Sequence, residues 1–379
     1  METARNRVPL QGLLVADFSR VLAGPLCSQL LADAGARVIK VEEPGRGDET
    51  RRWGPPFVDD VAAYFLAVNR NKESITLNLK RGRDIAQRLV DRADVVLDNF
   101  LQRDLLPVAP RTAVQCTIRG YDSDTPEANA PGYDLMAQAE SGLMSITGEP
   151  DGDPMKAGVA LADVLTAHYA FGAITSALVG RERTGEGASI EVSLFSSTVA
   201  SLVNVAQNVL VTKREAQRYG NAHPSIVPYQ VFHGSDRPFA IGAGTDRHFQ
   251  LLCTNVLGRD DLASDRRFAT NRGRVKHRGA LLAQLEAEFR RRRAVQWVAR
   301  CRKAAIPAAL VRGVREALRT PAACGIVTAN AIRNPLLING GRRPLGTPPP
   351  GLGQHTTAVL EELGYSAGEI RAFRRDAVI

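Results

Sequence analysis

Between residues 10 and 120, short apolar runs alternate with longer amphipathic ones, a pattern that predicts strands and helices in turn. Leu13–Phe18 (LLVADF) reads as a strand and Pro25–Ala34 (PLCSQLLADA) as a helix with a proline at its start. Gly35 stops that helix, and Val38–Val41 (VIKV) is the next strand. A strand-helix-strand unit implies parallel pairing and a right-handed crossover. The pattern continues with a helix over Ala62–Asn71, an alternating strand over Ser74–Leu79 and a helix over Arg83–Ala93. Val95–Asp98 then reads as a buried strand and Gln115–Ile118 as one more. An α/β fold with a parallel sheet is therefore expected. Its first turn, SRVLAGP, lacks the G-x-G-x-x-G fingerprint, so a dinucleotide cofactor is poorly supported. Asn99 and Phe100 follow Val95–Asp98 at its carboxyl end, where parallel sheets bind ligands.

Further along, Tyr133–Leu143 reads as a helix, Ala188–Leu194 as a strand and Ser196–Val211 as one long, mostly apolar helix. A first domain ends near residue 215. Residues 218–235 cross with two prolines to a strand at Phe239–Gly244, followed by helices at Phe249–Leu257, Ala280–Phe289 and Arg290–Arg300. Residues 340–354 form a Pro/Gly linker, and short helices at Thr356–Leu363 and Ala367–Arg375 end the chain. The charged stretch EEPGRGDETRRWGPP reads as a surface loop, with Arg46, Arg51 and Arg52 either solvated or placed to meet phosphates.

Asp163 is the chemically distinctive position. Ala157 to Leu165 holds no other ionisable residue, and Leu165, Tyr169, Ile174 and Leu178 recur after it at near-helical spacing. Two readings remain open on pattern alone. Asp163 is an N-cap that accepts a backbone N–H, or it is a nucleophilic carboxylate approached past the small residues Gly158, Ala160 and Ala162.

Composition narrows the class. The chain has 379 residues, enough for more than one core, and is 44% hydrophobic and 23% charged, as folded proteins are. Its formal charge of +9 suits an anionic partner. Aromatics at 6% and the absence of any zinc-finger or RRM pattern disfavour nucleic acid. Five scattered cysteines with no CxxC argue against a metal site or a disulfide framework. No apolar run reaches membrane-spanning length, so a cytoplasmic protein with no membrane partner is expected.

Several segments together resemble the family III CoA-transferases: LVADFSRVLAGPLCSQLLADAGARVIKVEEPGRGDETR, NRNKESITLNLK, ADVVLDNF, GYDLMAQAESGLMSITG, RYGNAHPSIVPYQVF and LGQHTTAVLEELGYSAGEI. The similarity covers nearly the whole chain in order. It implies a Rossmann-like large domain over residues 1–215 completed by 335–379, a smaller α+β domain over 225–330, and an interlocked homodimer. It also implies acyl-CoA and a carboxylic acid as substrates, with no permanently bound cofactor. The nucleophilic aspartate matches Asp163. The CoA contacts match Val21, Ala23, Leu77, Lys80, Asn99 and Phe100, with Arg103 as a further basic contact.

The superfamily also holds α-methylacyl-CoA racemases, the alternative reading. Where those enzymes carry a histidine, this chain has Tyr133. A phenol of ordinary pKa near ~10 is a poor base at neutral pH, which favours transfer. Leu22 stands where the formyl-CoA type has a glutamine, Glu43 where it has a basic residue, and His223–Pro228 (HPSIVP) where it has a glycine-rich covering loop.

Overall fold

Apolar, β-branched runs become the strands of a parallel sheet in the computed structural model, which describes residues 8–101, 104 and 106–379. The chain divides into two units. The larger joins Met1–Met144, Lys156–Glu215 and Gly325–Ile379, and the smaller joins Ser145–Met155 to Ala216–Cys324.

In the large unit the strands are β1 (Leu14–Asp17), β2 (Arg37–Glu42), the ribbon pair β3 (Phe57–Val58) and β4 (Val61–Ala62), β5 (Lys72–Thr76), β6 (Val95–Asp98), β7 (Val114–Arg119) and β8 (Ser189–Ser193). The helices are α1 (Ala23–Asp33), α2 (Ala63–Ala67), α3 (Arg83–Val90), α4 (Asp134–Glu140), α5 (Leu161–Thr184), α6 (Leu194–Ala200) and α7 (Val203–Thr212). Six strands form one parallel sheet in the order β5-β2-β1-β6-β7-β8. This is a doubly wound arrangement, and the strand order reverses between β1 and β6, where a crevice opens at the carboxyl ends. Alternate residues feed two cores. Val15, Val38 and Leu97 pack with Leu31 of α1 and Ile174 of α5. Ala16, Ile39 and Val96 pack with Ile85 and Leu89 of α3 and with Val359 and Leu360 from the C-terminal helix Thr356–Glu362.

Several element boundaries differ from the sequence reading, each for a local reason. The strand expected over Ser74–Leu79 runs instead over Lys72–Thr76, because the Asn78 side chain accepts the N–H groups of Lys80 and Arg81 and turns the chain out of the sheet. The helix expected over Ala62–Asn71 stops at Ala67, where Asn69 Nδ2 donates to the Phe65 carbonyl at 2.9 Å. Ser196–Val211 is not one helix: α6 and α7 meet at a bend of 75°. Ser201 Oγ donates to the Ser197 carbonyl there and Val203 takes φ of +44°, so the hydroxyl-rich run competes with the helical ladder. Among the described residues α5 is long and apolar enough to cross a membrane by length and composition, a span the sequence reading did not expect. Its buried stripe, including Ala167, Ala170 and Ile174, packs in the core of the large unit.

The small unit is built on strands β9 (Tyr229–His233), β10 (Pro238–Gly242) and β11 (Ala308–Leu310), antiparallel in the order β11-β10-β9. Pattern reading found only the middle one, since Pro228 and Pro307 adjoin the short outer strands. Ser145–Met155 belongs here because the Arg218 guanidinium donates to the carbonyls of Ser145 at 3.0 Å and Glu149 at 3.1 Å. Arg290–Arg293 lies between the helices Arg278–Phe289 and Ala294–Lys303, and three of its members pair with Glu286, Glu288 and Asp236. The Phe289 ring organises the core, with ring centroids of Phe232, Phe239 and Trp297 at 4.8, 5.2 and 5.3 Å. Trp297 Nε1 donates to the Phe289 carbonyl at 2.7 Å. Phe289→Ala is expected to cost about 3–5 kcal/mol, read as earlier unfolding of the small unit in a denaturant titration.

Candidate active site

The first turn is shaped by polar groups that the β1 strand delivers. Asp17 is fully buried and accepts the Ser19 backbone N–H at 3.0 Å and both the Ser19 and Ser28 hydroxyls. Burial works against the Asp17 charge, yet Lys72, Lys40 and the two hydroxyls hold its pKa below the usual aspartate value. From the end of β6, Asn99 spans the switch point: its Oδ1 accepts the Arg20 N–H at 3.1 Å and its Nδ2 donates to the Arg20 carbonyl at 2.9 Å. The carboxyl ends of β1 and β6 are thereby stitched together.

Asp163 sits at the third residue of α5 and is 9% exposed. It is not the N-cap expected as one reading. Ala160 occupies that position without a side-chain hydrogen bond, and the capping is done from α4, where Asp134 Oδ1 accepts the Ala162 N–H at 2.8 Å. The one group that favours the Asp163 charge is the nearby Ala23 backbone amide. Burial first, then the Asp134 carboxylate, push the Asp163 pKa from 3.8 to about 7 against that amide. Burial, together with Asp163 and Asp134, also keeps the Tyr64 phenol protonated, with its pKa raised to about 12.

A cavity of about 270 Å³ opens at the crevice, lined by Arg20, Val21, Ala23, Glu49, Asn99, Phe100, Arg119, Tyr133 and Asp163, among others. A second, of about 360 Å³, is lined by Arg20, Glu43, Leu77, Asn78, Lys80 and Phe100. Arg20 and Phe100 belong to both, with the Arg20 guanidinium carbon 5.0 Å from the centre of the Phe100 ring. Val21, Ala23, Asn99, Phe100, Tyr133 and Asp163 therefore come together in the first cavity, and Leu77 and Lys80 in the second. Arg103 lies outside the described residues. Leu77 is buried and packs in the core beside the second cavity, whereas Lys80 is exposed. Tyr133 is half-exposed at the mouth. Gly120 and Gly132 bring it there: a Cβ on Gly132 would lie 2.4 Å from the Gly120 Cα, so only two glycines let these chains touch.

Sequence reasoning missed Arg20, Tyr64, Arg119 and Asp134. Arg119 is ion-paired at 3.0 Å to Glu191, at an angle that leaves its Nε without a directed hydrogen bond. The loop arginine Arg51, read as solvated or phosphate-facing, is buried against Glu42 at 2.7 Å. Leu22 directly precedes α1, and Glu43 is exposed at the second cavity. His223–Pro228 is part of the small unit and is held there by Arg278, which donates to the carbonyls of His223 and Pro224 at 2.9 and 2.7 Å.

Residues 10–356 match the sequence profile of CoA-transferase family III. The chain belongs to that family. The transferase is 38% identical to the succinyl-CoA:glutarate CoA-transferase of Mus musculus, covering 98% of this chain and 90% of that one. It is 40% identical to the succinate–glutarate CoA-transferase of Agrobacterium fabrum, covering 94% of this chain and 96% of that one. A crystal structure of a CAIB/BAIF family protein from Brucella suis superposes with a TM-score of 0.84 at 40% identity, covering 94% of this chain and all of that one. The transferase is accordingly an acyl-CoA:carboxylate CoA-transferase that takes CoA thioesters as substrates.

The Asp163 carboxyl has a stability consequence with a definite sign. Its folded pKa of about 7 exceeds the ordinary 3.8, so the folded state binds this proton more tightly than the unfolded chain. The penalty is absent below about pH 4 and develops as pH rises towards 7 and above. Asp163→Asn is expected to be more stable than the parent at pH 8, on the order of a few kcal/mol, and indistinguishable from it at pH ~4. Denaturant midpoints at the two pH values measure this, and equal midpoints at both would contradict the burial cost.

Proposed function

We propose that Asp163 carries CoA between two carboxylic acids as a covalent nucleophile. One observation carries the reading: a carboxylate largely withdrawn from water lines the cavity at the sheet's switch point, beside residues matched to CoA contacts. An Asp163 oxygen attacks the donor thioester carbonyl carbon, the C–S bond breaks, and CoA leaves as thiolate, giving an aspartyl mixed anhydride. The thiolate attacks the Asp163 carbonyl carbon and expels the donor as its carboxylate, leaving an aspartyl-CoA thioester. The acceptor carboxylate attacks that thioester and releases the thiolate. The thiolate then attacks the acyl carbon of the acceptor and frees Asp163. A carboxylate suits these steps because it leaves from an anhydride as readily as it attacks. A pKa of about 7 leaves a substantial ionised fraction at neutral pH.

In this reading Val21, Ala23, Asn99 and Phe100 guide the pantetheine arm. Leu77 and Lys80 hold the nucleotide end, and Arg103 adds a basic contact. Tyr133 touches the acyl group. The two relatives are named for dicarboxylic acids, succinate and glutarate, and Arg20 supplies the matching cation: it lines the Asp163 cavity and carries no ion pair among the described residues. The substrate class is then a short dicarboxylic acid, with Arg20 reading its distal carboxylate. The reading also takes the molecule as an interlocked homodimer. Exposed apolar side chains support a partner surface: Tyr169 and Val179 on α5, and Val203, Leu210 and Val211 on α7.

The test is mass spectrometry after incubation with a panel of acyl-CoAs in D2O. A hydroxylamine-sensitive adduct on the Asp163 peptide, absent in Asp163→Ala, is expected with succinyl- or glutaryl-CoA. Deuterium entering the α-carbon of a 2-methylacyl-CoA with no adduct would make the protein a racemase instead. With succinate and butyrate as competing acceptors, Arg20→Gln is expected to lower the preference for the diacid by roughly ten- to a hundredfold in kcat/KM. An unchanged ratio would remove Arg20 from substrate selection.

A further inference from the structure

Beneath the first turn lie six buried charges that no step of the transfer uses: Lys40, Lys72 and Arg51 with Asp17, Asp48 and Glu42. One pair among them reaches the turn itself from both sides. Lys40 Nζ sits 2.9 Å from Asp48 Oδ2 with both side chains fully withdrawn from solvent, and the same Nζ donates to the Ser19 carbonyl at 2.8 Å. Asp48 accepts the Val21 N–H, at 3.3 and 3.4 Å from its two oxygens. Burial opposes the Lys40 charge, but Asp48, Asp17 and Glu42 hold its pKa above the ordinary lysine value, so it stays a cation.

The turn needs holding. Val21 has φ of +73°, a left-handed conformation that a β-branched residue rarely adopts and that persists only when its surroundings impose it. Gly24 folds the chain so tightly that a Cβ there would lie 2.3 Å from the Ser19 side chain. Two residues past Val21, Ala23 shares the cavity with Asp163, and its backbone amide favours the charged form of that carboxylate. A buried ion pair adds little stability over an apolar pair of similar volume. An apolar pair, however, offers the Ser19 carbonyl no donor and the Val21 N–H no acceptor.

We propose that Lys40 and Asp48 are positioning residues for the nucleophile, clamping Ser19 and Val21 so that the Ala23 amide stays aimed at the Asp163 carboxylate. The proposal rests on Asp163 being the nucleophile. Hydroxylamine-sensitive labelling of Asp163 in the parent enzyme separates a failure of that assignment from a failure of the clamp.

Two double variants test it. Lys40→Met with Asp48→Leu removes both charges at similar volume and leaves Val21 without an acceptor. Lys40→Met with Asp48→Asn is equally uncharged but keeps an amide oxygen for the Val21 N–H. The first is expected to fold, by circular dichroism, and to lose roughly ten- to a hundredfold in kcat, with KM for the CoA donor within about twofold of the parent. The acid limb of its kcat/KM profile moves to higher pH by about one unit, because the carboxylate has lost the Ala23 amide. The second variant keeps the Val21 half of the clamp and is expected to fall between the first variant and the parent in kcat and in the position of the limb, the remaining loss belonging to the Ser19 carbonyl that Lys40→Met leaves without its donor. An acid limb that stays in place in a folded first variant, or an Asn variant as impaired as the Leu variant, would overturn the proposal.

Discussion

A carboxylate kept out of water at the end of a parallel sheet is the constraint around which the large unit is arranged. Asp163 loses most of its hydration and has little beyond the Ala23 amide to offset that loss, so its charged form is disfavoured. The surroundings are arranged to bear this. Asp134 caps α5, Asn99 ties the two strand ends together, and Gly120 against Gly132 brings the tyrosine loop within reach. Asp134 also faces Asp163 with a like charge, so the group that caps α5 also raises the Asp163 pKa.

Charge is distributed in an unexpected way. The net +9 suggested an overall attraction for an anionic substrate. By sequence, the large unit holds 29 Lys and Arg against 29 Asp and Glu, and the small unit 20 against 11, so the excess of 9 resides in the small unit alone. The unit that carries the site is formally neutral, and three of its cations are spent on buried pairs with Glu42, Asp48 and Asp17. The positive charge at its cavities comes from individual side chains, Arg20 and Lys80 among them, rather than from bulk charge.

How far the sequence could be read depended on the range of the interactions involved. Val95–Asp98 forms over the very residues its apolar run marks, and β1, β2 and β7 lie within two residues of theirs, because burial on both faces writes a continuous hydrophobic signal. The α6–α7 bend and the early end of α2 escaped it, since hydroxyl and amide groups there satisfy backbone carbonyls that apolar periodicity does not report. Strands β9 and β11 escaped it because short segments beside prolines take their pairing from β10 rather than from their own pattern.

The sequence by itself determined the alternation of strands and helices, the family resemblance, and the identity of the lone acid in an apolar run. Those properties are local, or are carried by the order of residues, and need no knowledge of what lies across the fold. Only the tertiary structure decided what Asp163 experiences. Its burial, the amide of Ala23 and its like-charged neighbour Asp134 come from segments 140 and 29 residues away in the chain. The same holds for Arg51, exposed by its charge pattern yet buried against Glu42, and for Lys40, an ordinary lysine in a strand until Asp48 folds over it. Electrostatic energy depends on distance in space and on exclusion of water, and neither is written in the spacing of residues along the chain.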